Sequence, residues 1–274
     1  MKQPKSIAIL GLGWLGLPLA KTLHQSGYLV HGSVRSSDKL DQLQGLPFDL
    51  TRLVLNPDGV EGTFEFLNKA SILVLTIPPG RKEDVEETYP AMIGQLLKHA
   101  PSDLKVIFTS TTGVYAADEH PVNERTKPNP SKSSGKAVLH AERILRSHYK
   151  GNLTILRLAG LIGEDRHPGR FLAGKKGLKN GDAPVNLVHQ KDCIGVIQKV
   201  ITNEAWGTII NVCASSHPTR KEYYQKACTA LKLDPPEFED AETTDFKVID
   251  NTYGKELLGY SYIYDHPEDA IATG

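Results

Sequence analysis

The chain has only three cysteines, Cys193, Cys213 and Cys228, in 274 residues. They are widely spaced, form no CxxC and are odd in number. That argues against a disulfide framework and suits reduced, structural thiols in a cytoplasmic protein. Charge of one sign is also missing, since 32 basic and 32 acidic residues cancel. No net field would recruit nucleic acid or an anionic membrane, and neither is expected as a partner. No run approaches the ~20 apolar residues of a membrane span. The opening "MKQPKSIAILGLGWLGLPLA" has the lysines and apolar run of a secretory signal. Three glycines and Pro18 interrupt it, however, and no small-x-small cleavage site follows. Ten scattered histidines give no zinc spacing, so no metal is expected. No G-x-S-x-G elbow is present. "HPGRFLAGKK" approaches a triphosphate-binding loop, but Lys176 stands where a Ser or Thr must hold Mg²⁺.

What is present is an alternation of short apolar runs and helical patterns. Strands are expected at 6–10, 29–34, 71–77, 105–110 and 153–158. Helices are expected at 15–25, 85–99 and 134–149, with a short one near 64–68. "NLVHQKDCIGVIQKVI" and "GTIINVC" add a strand, a helix and a further strand, and 221–231 reads as the last helix. Strands buried on both faces and separated by helices imply a doubly wound parallel sheet, a Rossmann-type α/β fold. Residues 160–186 and the segment after 214 break the rhythm.

Gly11, Gly13 and Gly16 form G-x-G-x-x-G between the first strand and the first helix. The first glycine permits the tight turn. The second lets the backbone approach a pyrophosphate, and the third lets helix and strand pack closely. The helix start offers unpaired N–H groups and a positive dipole end. Trp14 and Leu15 complete the cofactor loop, and the end of the apolar strand, Thr76, Ile77 and Pro78, is assigned beside it. About 20 residues past the glycines an acid would bind an adenosine 2′-hydroxyl. Here Arg35 and Ser36 occupy that place. A guanidinium grips a 2′-phosphate bidentately, which favours NADP over NAD, with NAD left open.

"GLGWLG", "FTSTTGVYA", "SSGKAVLHAE" and "LTILRLAGLIG", in that order, resemble the extended short-chain dehydrogenase/reductase family of nucleotide-sugar epimerases and dehydratases. "LRLAGLIGEDRHPGRF" and "VNLVHQKD" narrow the likeness to an atypical bacterial branch, the YeeZ-like proteins. The usual G-x-x-G-x-x-G is not kept, because Leu10 stands at its first glycine. The resemblance implies a dinucleotide-binding domain at 1–159, rejoined by 187–213, and a small substrate lobe from 160–186 and 214–274. It also implies a small-molecule substrate.

In that family a Ser or Thr ends the fifth strand, where this chain has Thr111. The next helix carries Tyr-x-x-x-Lys. The tyrosine exchanges a proton with the substrate, and the lysine holds the nicotinamide ribose and lowers the tyrosine pKa. Aligning "SGKAVLHAE" places Ser134 at the tyrosine and Val138 at the lysine, so the pair is gone. Thr111, Tyr115 and His189 remain as catalytic candidates. His167 and Arg170, in a loop after the sixth strand, suit an anionic substrate group. Two functions stay open: an NADP(H)-dependent epimerase- or reductase-like enzyme with another proton donor, or a catalytically silent NADP(H) sensor.

Overall fold

The computed structural model describes residues 5–80, 82–118, 120–240, 244 and 246–273. The strands among them are β1 (Ser6–Leu10), β2 (Leu29–Val34), β3 (Asp49–Leu55), β4 (Val60–Gly62), β5 (Ile72–Leu75), β6 (Lys105–Thr111), β7 (Leu153–Leu158), β8 (Gly160–Ile162), β9 (Leu187–His189) and β10 (Ile209–Val212). The helices are α1 (Gly16–Gln25), α2 (Ser37–Gln42), α3 (Val85–Leu97), α4 (Ser133–Tyr149), α5 (Gly169–Leu172), α6 (Gln190–Thr202), α7 (Arg220–Ala230) and α8 (Thr252–Leu258).

Eight strands form one sheet in the order β10-β7-β6-β5-β1-β2-β3-β4. Pairings of β1 with β2 and β5, of β2 with β3, and of β5 with β6 are parallel, while β4 closes the edge antiparallel to β3. From β1 the chain steps one way through β2 and β3, then returns to step the other way through β5, β6 and β7. Right-handed crossovers in opposite directions put helices on both faces, so the fold is doubly wound. The reversal lies between β1 and β5, and ligands in such sheets bind beyond the strand ends there.

The apolar opening run is therefore strand, turn and helix. Ile7, Ala8, Ile9 and Leu10 are fully buried, and Leu19, Ala20 and Leu23 carry the buried stripe of α1. Observed boundaries differ by a residue or two from the apolar pattern: β5 stops at Leu75 and α3 at Leu97. Three elements have no clear apolar signature in the sequence. In β3 only Leu53, Val54 and Leu55 are buried, α2 buries none of its six residues, and β4 is three residues long.

The contacts divide the chain into two compact units. The first comprises Met1–Val114, Pro128–Leu156 and Ile197–Ile209. Within it α4 lays Ala137, Val138, Ala141 and Leu145 on the core. Its first turn touches the loop after β6 so closely that a Cβ on Gly135 would lie 2.6 Å from the Gly113 carbonyl oxygen and 2.8 Å from Pro130 Cβ.

The second unit comprises Tyr115–Lys127, Arg157–Val196 and Ile210–Gly274. It is larger than the lobe expected from 160–186 and 214–274, because 115–127, 157–159, 187–196 and 210–213 group with it, which leaves only 197–209 of the segment 187–213 in the first unit. For 115–127 the reason is hydrogen bonding. Val122 bridges to Ile249, Asp250 N–H donates to the Val122 carbonyl at 2.9 Å, and Lys247 Nζ donates to the Tyr115 carbonyl at 2.5 Å. This unit has its own parallel pair, β8 with β9, and an apolar cluster of Ile162, Val185, Leu187, Tyr223, Ala227, Ala270 and Ile271. Asp192, fully buried in the first turn of α6, accepts from Ile263 N–H at 2.7 Å, Tyr264 N–H at 3.1 Å and Tyr260 O–H at 2.9 Å. A Cβ on Gly195 would strike Tyr260 Oη at 2.3 Å, so the "DCIG" spacing leaves room for that ring.

All three thiols are buried and unpaired. Among the described residues no helix is long and apolar enough to cross a membrane.

Gly135→Ala is expected to destabilise the protein by about 1–3 kcal/mol, the usual cost of overpacking. Chemical denaturation checks this; a loss below ~0.5 kcal/mol would show that the helix can move aside.

Candidate functional site

The turn after β1 is made from backbone. Gly11 has φ +103°, a region that L side chains rarely enter. Its carbonyl accepts from Gly13 N–H at 2.8 Å and from Thr76 Oγ1 at 2.6 Å, so the end of β5 is tied to the turn. Its own N–H donates to Ser33 Oγ at 3.2 Å, which ties in β2. A Cβ on Gly16 would lie 2.1 Å from the Gly11 carbonyl oxygen. The third glycine is thus required by contact of the helix with the turn itself. A Cβ on Gly13, in contrast, would meet nothing within 4 Å. The first turn of α1 has no side-chain cap and no acidic residue, so no carboxylate offsets its dipole, although Leu17 N–H already donates to the Gly13 carbonyl at 3.1 Å.

These elements border a cavity of about 600 Å³, within the range of small-molecule and cofactor sites. Of the residues expected to hold a cofactor, Gly11, Gly13, Arg35, Ser36, Thr76, Ile77 and Pro78 line it. Trp14, Leu15 and Gly16 stand outside the lining: Leu15 is buried at the N-cap of α1, and Trp14 is half-buried. Other lining residues escape a sequence reading. Leu53, Leu55 and Asn56 come from β3 and its turn, and Lys82, Tyr89 and Met92 from the α3 region. Their signal is weak because β3 is only half apolar, and "TIPPGRKED" reads as a plain loop. Tyr89 O–H donates to the Ile77 carbonyl at 2.8 Å and so fixes the segment after β5. Among the described residues the charged lining residues are Arg35, Lys39 and Lys82 against Asp84, an excess that suits an anionic ligand.

The catalytic candidates are placed differently. Thr111 ends β6, half-buried, and its Oγ1 accepts from Gly113 N–H at 3.0 Å. Ser134 is exposed in the first turn of α4 and Val138 is buried, so that helix presents no acid–base pair at the family's positions. Tyr115 is 2% exposed, and its phenol is committed at both ends. It donates to Asn211 Oδ1 at 2.9 Å and accepts from Arg157 Nη1 at 2.8 Å, with that guanidinium 4.8 Å from the ring centre. Burial raises its pKa. The same network takes in Glu124, which accepts from Asn211 N–H at 2.7 Å. In this geometry the Tyr115 phenol packs in the interior and directs its proton to Asn211.

His189 caps α6. Its Nδ1 accepts from Lys191 N–H at 3.1 Å, and its ring lies 4.0 Å from that of Tyr264. Burial, reinforced by the Lys191 charge, lowers its pKa to about 4. It is neutral near pH 7, with Nε2 buried and lacking a hydrogen-bond partner. His167 is also buried, with Nδ1 accepting from Gly169 N–H at 3.1 Å and Nε2 3.0 Å from the Ile271 carbonyl. Arg170 is exposed on the short α5. The anion-binding pair expected from the sequence is therefore one locked histidine and one surface arginine. Among the described residues no group of three or more His, Cys, Asp or Glu could hold a metal.

A glycine turn, a reversal between β1 and β5 and a basic cavity at that point define a dinucleotide-binding protein of the extended short-chain dehydrogenase/reductase type. The chain belongs to the NAD dependent epimerase/dehydratase family, whose model matches residues 7–213. Protein YeeZ of Escherichia coli K12 is 37% identical over 268 residues, covering 96% of this chain and 97% of that one. Among solved structures, dTDP-glucose 4,6-dehydratase from Bacillus anthracis in complex with NAD has TM-score 0.77 at 17% identity, covering 98% of this chain and 94% of that one. UDP-glucuronic acid 4-epimerase from Bacillus cereus in complex with NAD has TM-score 0.78 at 19% identity, covering 98% and 96%. These two likenesses are of fold.

Two outcomes follow from the buried polar groups. Tyr115→Phe removes the phenol that Arg157 Nη1 donates to and that donates to Asn211 Oδ1, and should cost about 1–3 kcal/mol by chemical denaturation, as loss of buried hydrogen bonds does. The His189 shift has a definite sign. Its folded pKa lies below the unfolded value of about 6.5, so the unfolded chain takes up the proton first. Stability is then full above pH ~6.5 and falls as pH drops towards about 4. His217, also lowered by burial, acts in the same direction. His189→Asn keeps a capping side chain and should flatten that acid limb; an unchanged limb would show that other groups carry it.

Proposed function

We propose that the chain is an NADP(H)-binding protein, and that nucleotide occupancy of the cavity is the event its structure is built around. The single observation that carries this is the turn. Gly11 at φ +103° and the open face of Gly13 lie on the wall of a cavity whose charged lining, among the described residues, is three cations to one acid. A pyrophosphate fits there on backbone N–H groups and the start of α1. Arg35, at the end of β2, suits an adenosine 2′-phosphate, whereas NAD would be favoured by an acid at that place. Leu53, Leu55 and Met92 give apolar surface for a base.

A bound nicotinamide would supply hydride acceptance or donation at a substrate carbon. The chain's own residues would have to move the accompanying proton, and most of the candidates are engaged elsewhere. Tyr115 is held by Arg157 and Asn211, His189 caps a helix as a neutral ring, and His167 is locked to backbone. A positioned acid–base group typically contributes ~10²–10⁴ in rate. This supports the sensor reading over the enzyme reading. One observation favours turnover: Thr111, half-buried at the carboxyl end of β6, uses its oxygen as an acceptor and keeps its own proton for donation. If a small-molecule substrate is turned over, Thr111 is the hydroxyl to test.

Fluorescence titration with NADPH and NADH should show saturable binding, tighter for NADPH. Arg35→Ala should weaken NADPH by about tenfold or more and leave NADH nearly unchanged, the loss expected of a charge-assisted phosphate contact. Absence of binding by either nucleotide would exclude the proposal. Steady oxidation of bound NADPH by a carbonyl substrate, lost in Thr111→Val, would replace the sensor reading with the enzyme reading.

A further inference from the structure

Beside the cavity is a second, more open recess of about 510 Å³. It shares Arg35, Ser36 and Asn56 with the cavity and adds Asp38, Arg52 and Glu61. Arg52 lies on β3 directly opposite Val34 of β2, one residue before Arg35. Two guanidiniums thus border one recess from neighbouring strands. Arg52 is held away from solvent anions by Glu61 of β4, which accepts from its Nη2 at 2.8 Å. Asn56 Nδ2 steadies the same carboxylate at 3.5 Å.

The hairpin that delivers Glu61 is closely specified. Leu53 pairs with Gly62 and Val54 with Glu61. Gly62 has φ +109°, and a Cβ there would lie 2.4 Å from the Arg52 carbonyl oxygen. Only glycine lets the hairpin close at that point and hold the preceding carboxylate, Glu61, beside Arg52. The Arg52 hydrogen bond and charge hold the Glu61 carboxyl below the usual range, with a smaller contribution from Arg35, so both guanidiniums act on this one acid. The pose of Arg52 is also incomplete, because its Nε is buried with no hydrogen-bond partner. A group in that state loses little by turning to a better acceptor.

Taking the NADP(H) reading as its basis, we propose that Arg52 and Arg35 together clamp the adenosine 2′-phosphate, and that Glu61 is a built-in competitor that occupies Arg52 until the phosphate arrives. Arg35, Arg52, Asp38 and Glu61 balance in charge, so the recess gains little by taking up a neutral ribose. A phosphate monoester carries about −1.5 to −2 at neutral pH and three acceptor oxygens, against one carboxylate on Glu61. It wins the exchange, and Arg52 gains a bidentate partner. Glu61 sets a threshold that weakens binding without removing it. Asp38, in the same recess, adds a second acid on the unfavourable side.

The test is calorimetric titration of the full chain with adenosine 2′,5′-bisphosphate and with 5′-AMP, repeated with NADPH and NADH. Arg52→Ala should weaken the bisphosphate and NADPH by about tenfold, and 5′-AMP and NADH by less than about threefold. Glu61→Gln should do the reverse, tightening the two 2′-phosphate ligands by about three- to tenfold at low salt while leaving the other two unchanged. The pair is partly exposed, and such pairs contribute little to stability; unfolding midpoints of both variants should stay close to wild type. If Arg52→Ala fails to fold, Glu61→Gln alone decides. An unchanged ratio of bisphosphate to 5′-AMP affinity in Glu61→Gln, with Arg35→Ala still lowering it, would overturn the clamp and leave NADP(H) binding standing. No binding of any of the four nucleotides would remove the NADP(H) reading itself.

Discussion

The carbonyl of Gly11 is the point at which the strand ends are joined. It accepts from Thr76 Oγ1 of β5 and from Gly13 N–H of its own turn, while the Gly11 N–H reaches Ser33 of β2. The start of α1 presses against the same carbonyl, with no room for a Cβ on Gly16. Three parallel strands and one helix thereby converge on a single residue, through its N–H and its carbonyl. Parallel strands need long crossovers and gain nothing from tight hairpins, so a shared hydrogen-bonded hub at their carboxyl ends fixes their relative height. The cavity wall is a by-product of that hub. Once the backbone occupies the turn, side chains are kept out of it, and the space over Gly13 is left for a ligand.

The second unit is held by a different device, buried polar groups that satisfy one another. Arg157, Tyr115, Asn211 and Glu124 form one network, and Asp192 gathers three donors from the C-terminal loop. Such groups are costly when unpaired and specify one arrangement when paired. They also account for the fate of the catalytic candidates. Tyrosine and histidine are residue types that acid–base chemistry needs, but the same donors and acceptors serve to finish helices and bridge loops. In this chain Tyr115, His167 and His189 make contacts of the latter kind. The position where the family keeps its tyrosine has an exposed serine, Ser134, and the position of its lysine has the buried Val138. The family's tyrosine and lysine are thus absent from these two positions.

Most of the sheet was legible because β1, β5, β6 and β7 carry short apolar runs buried on both faces, interrupted in β7 only by the buried Thr154 and Arg157. β3 was not, since Asp49, Thr51 and Arg52 break its pattern, and it lies next to an edge where one face meets water. The sequence also left α2 unseen, because a six-residue helix without a buried residue has no apolar period. These two silent elements supply Leu53, Leu55 and Lys39 to the cavity wall and Arg52 to the neighbouring recess. The legible part comes from the glycine turn, Arg35 and the end of β5.

What the amino-acid order determined by itself was local and periodic. It set the strand–turn–helix at the amino end, the alternation that forces a doubly wound sheet, and the loss of the Tyr–Lys pair, which is a matter of residue identity alone. Only the tertiary structure decided which side chains meet. It paired Tyr115 with Arg157, 42 residues away, and with Asn211, 96 residues away, turned His189 into a cap, and set Arg52 beside Arg35. The physical reason is that periodicity records burial, whereas the partner of a buried polar group depends on strand register and chain crossing. Neither leaves a mark within a short window of sequence.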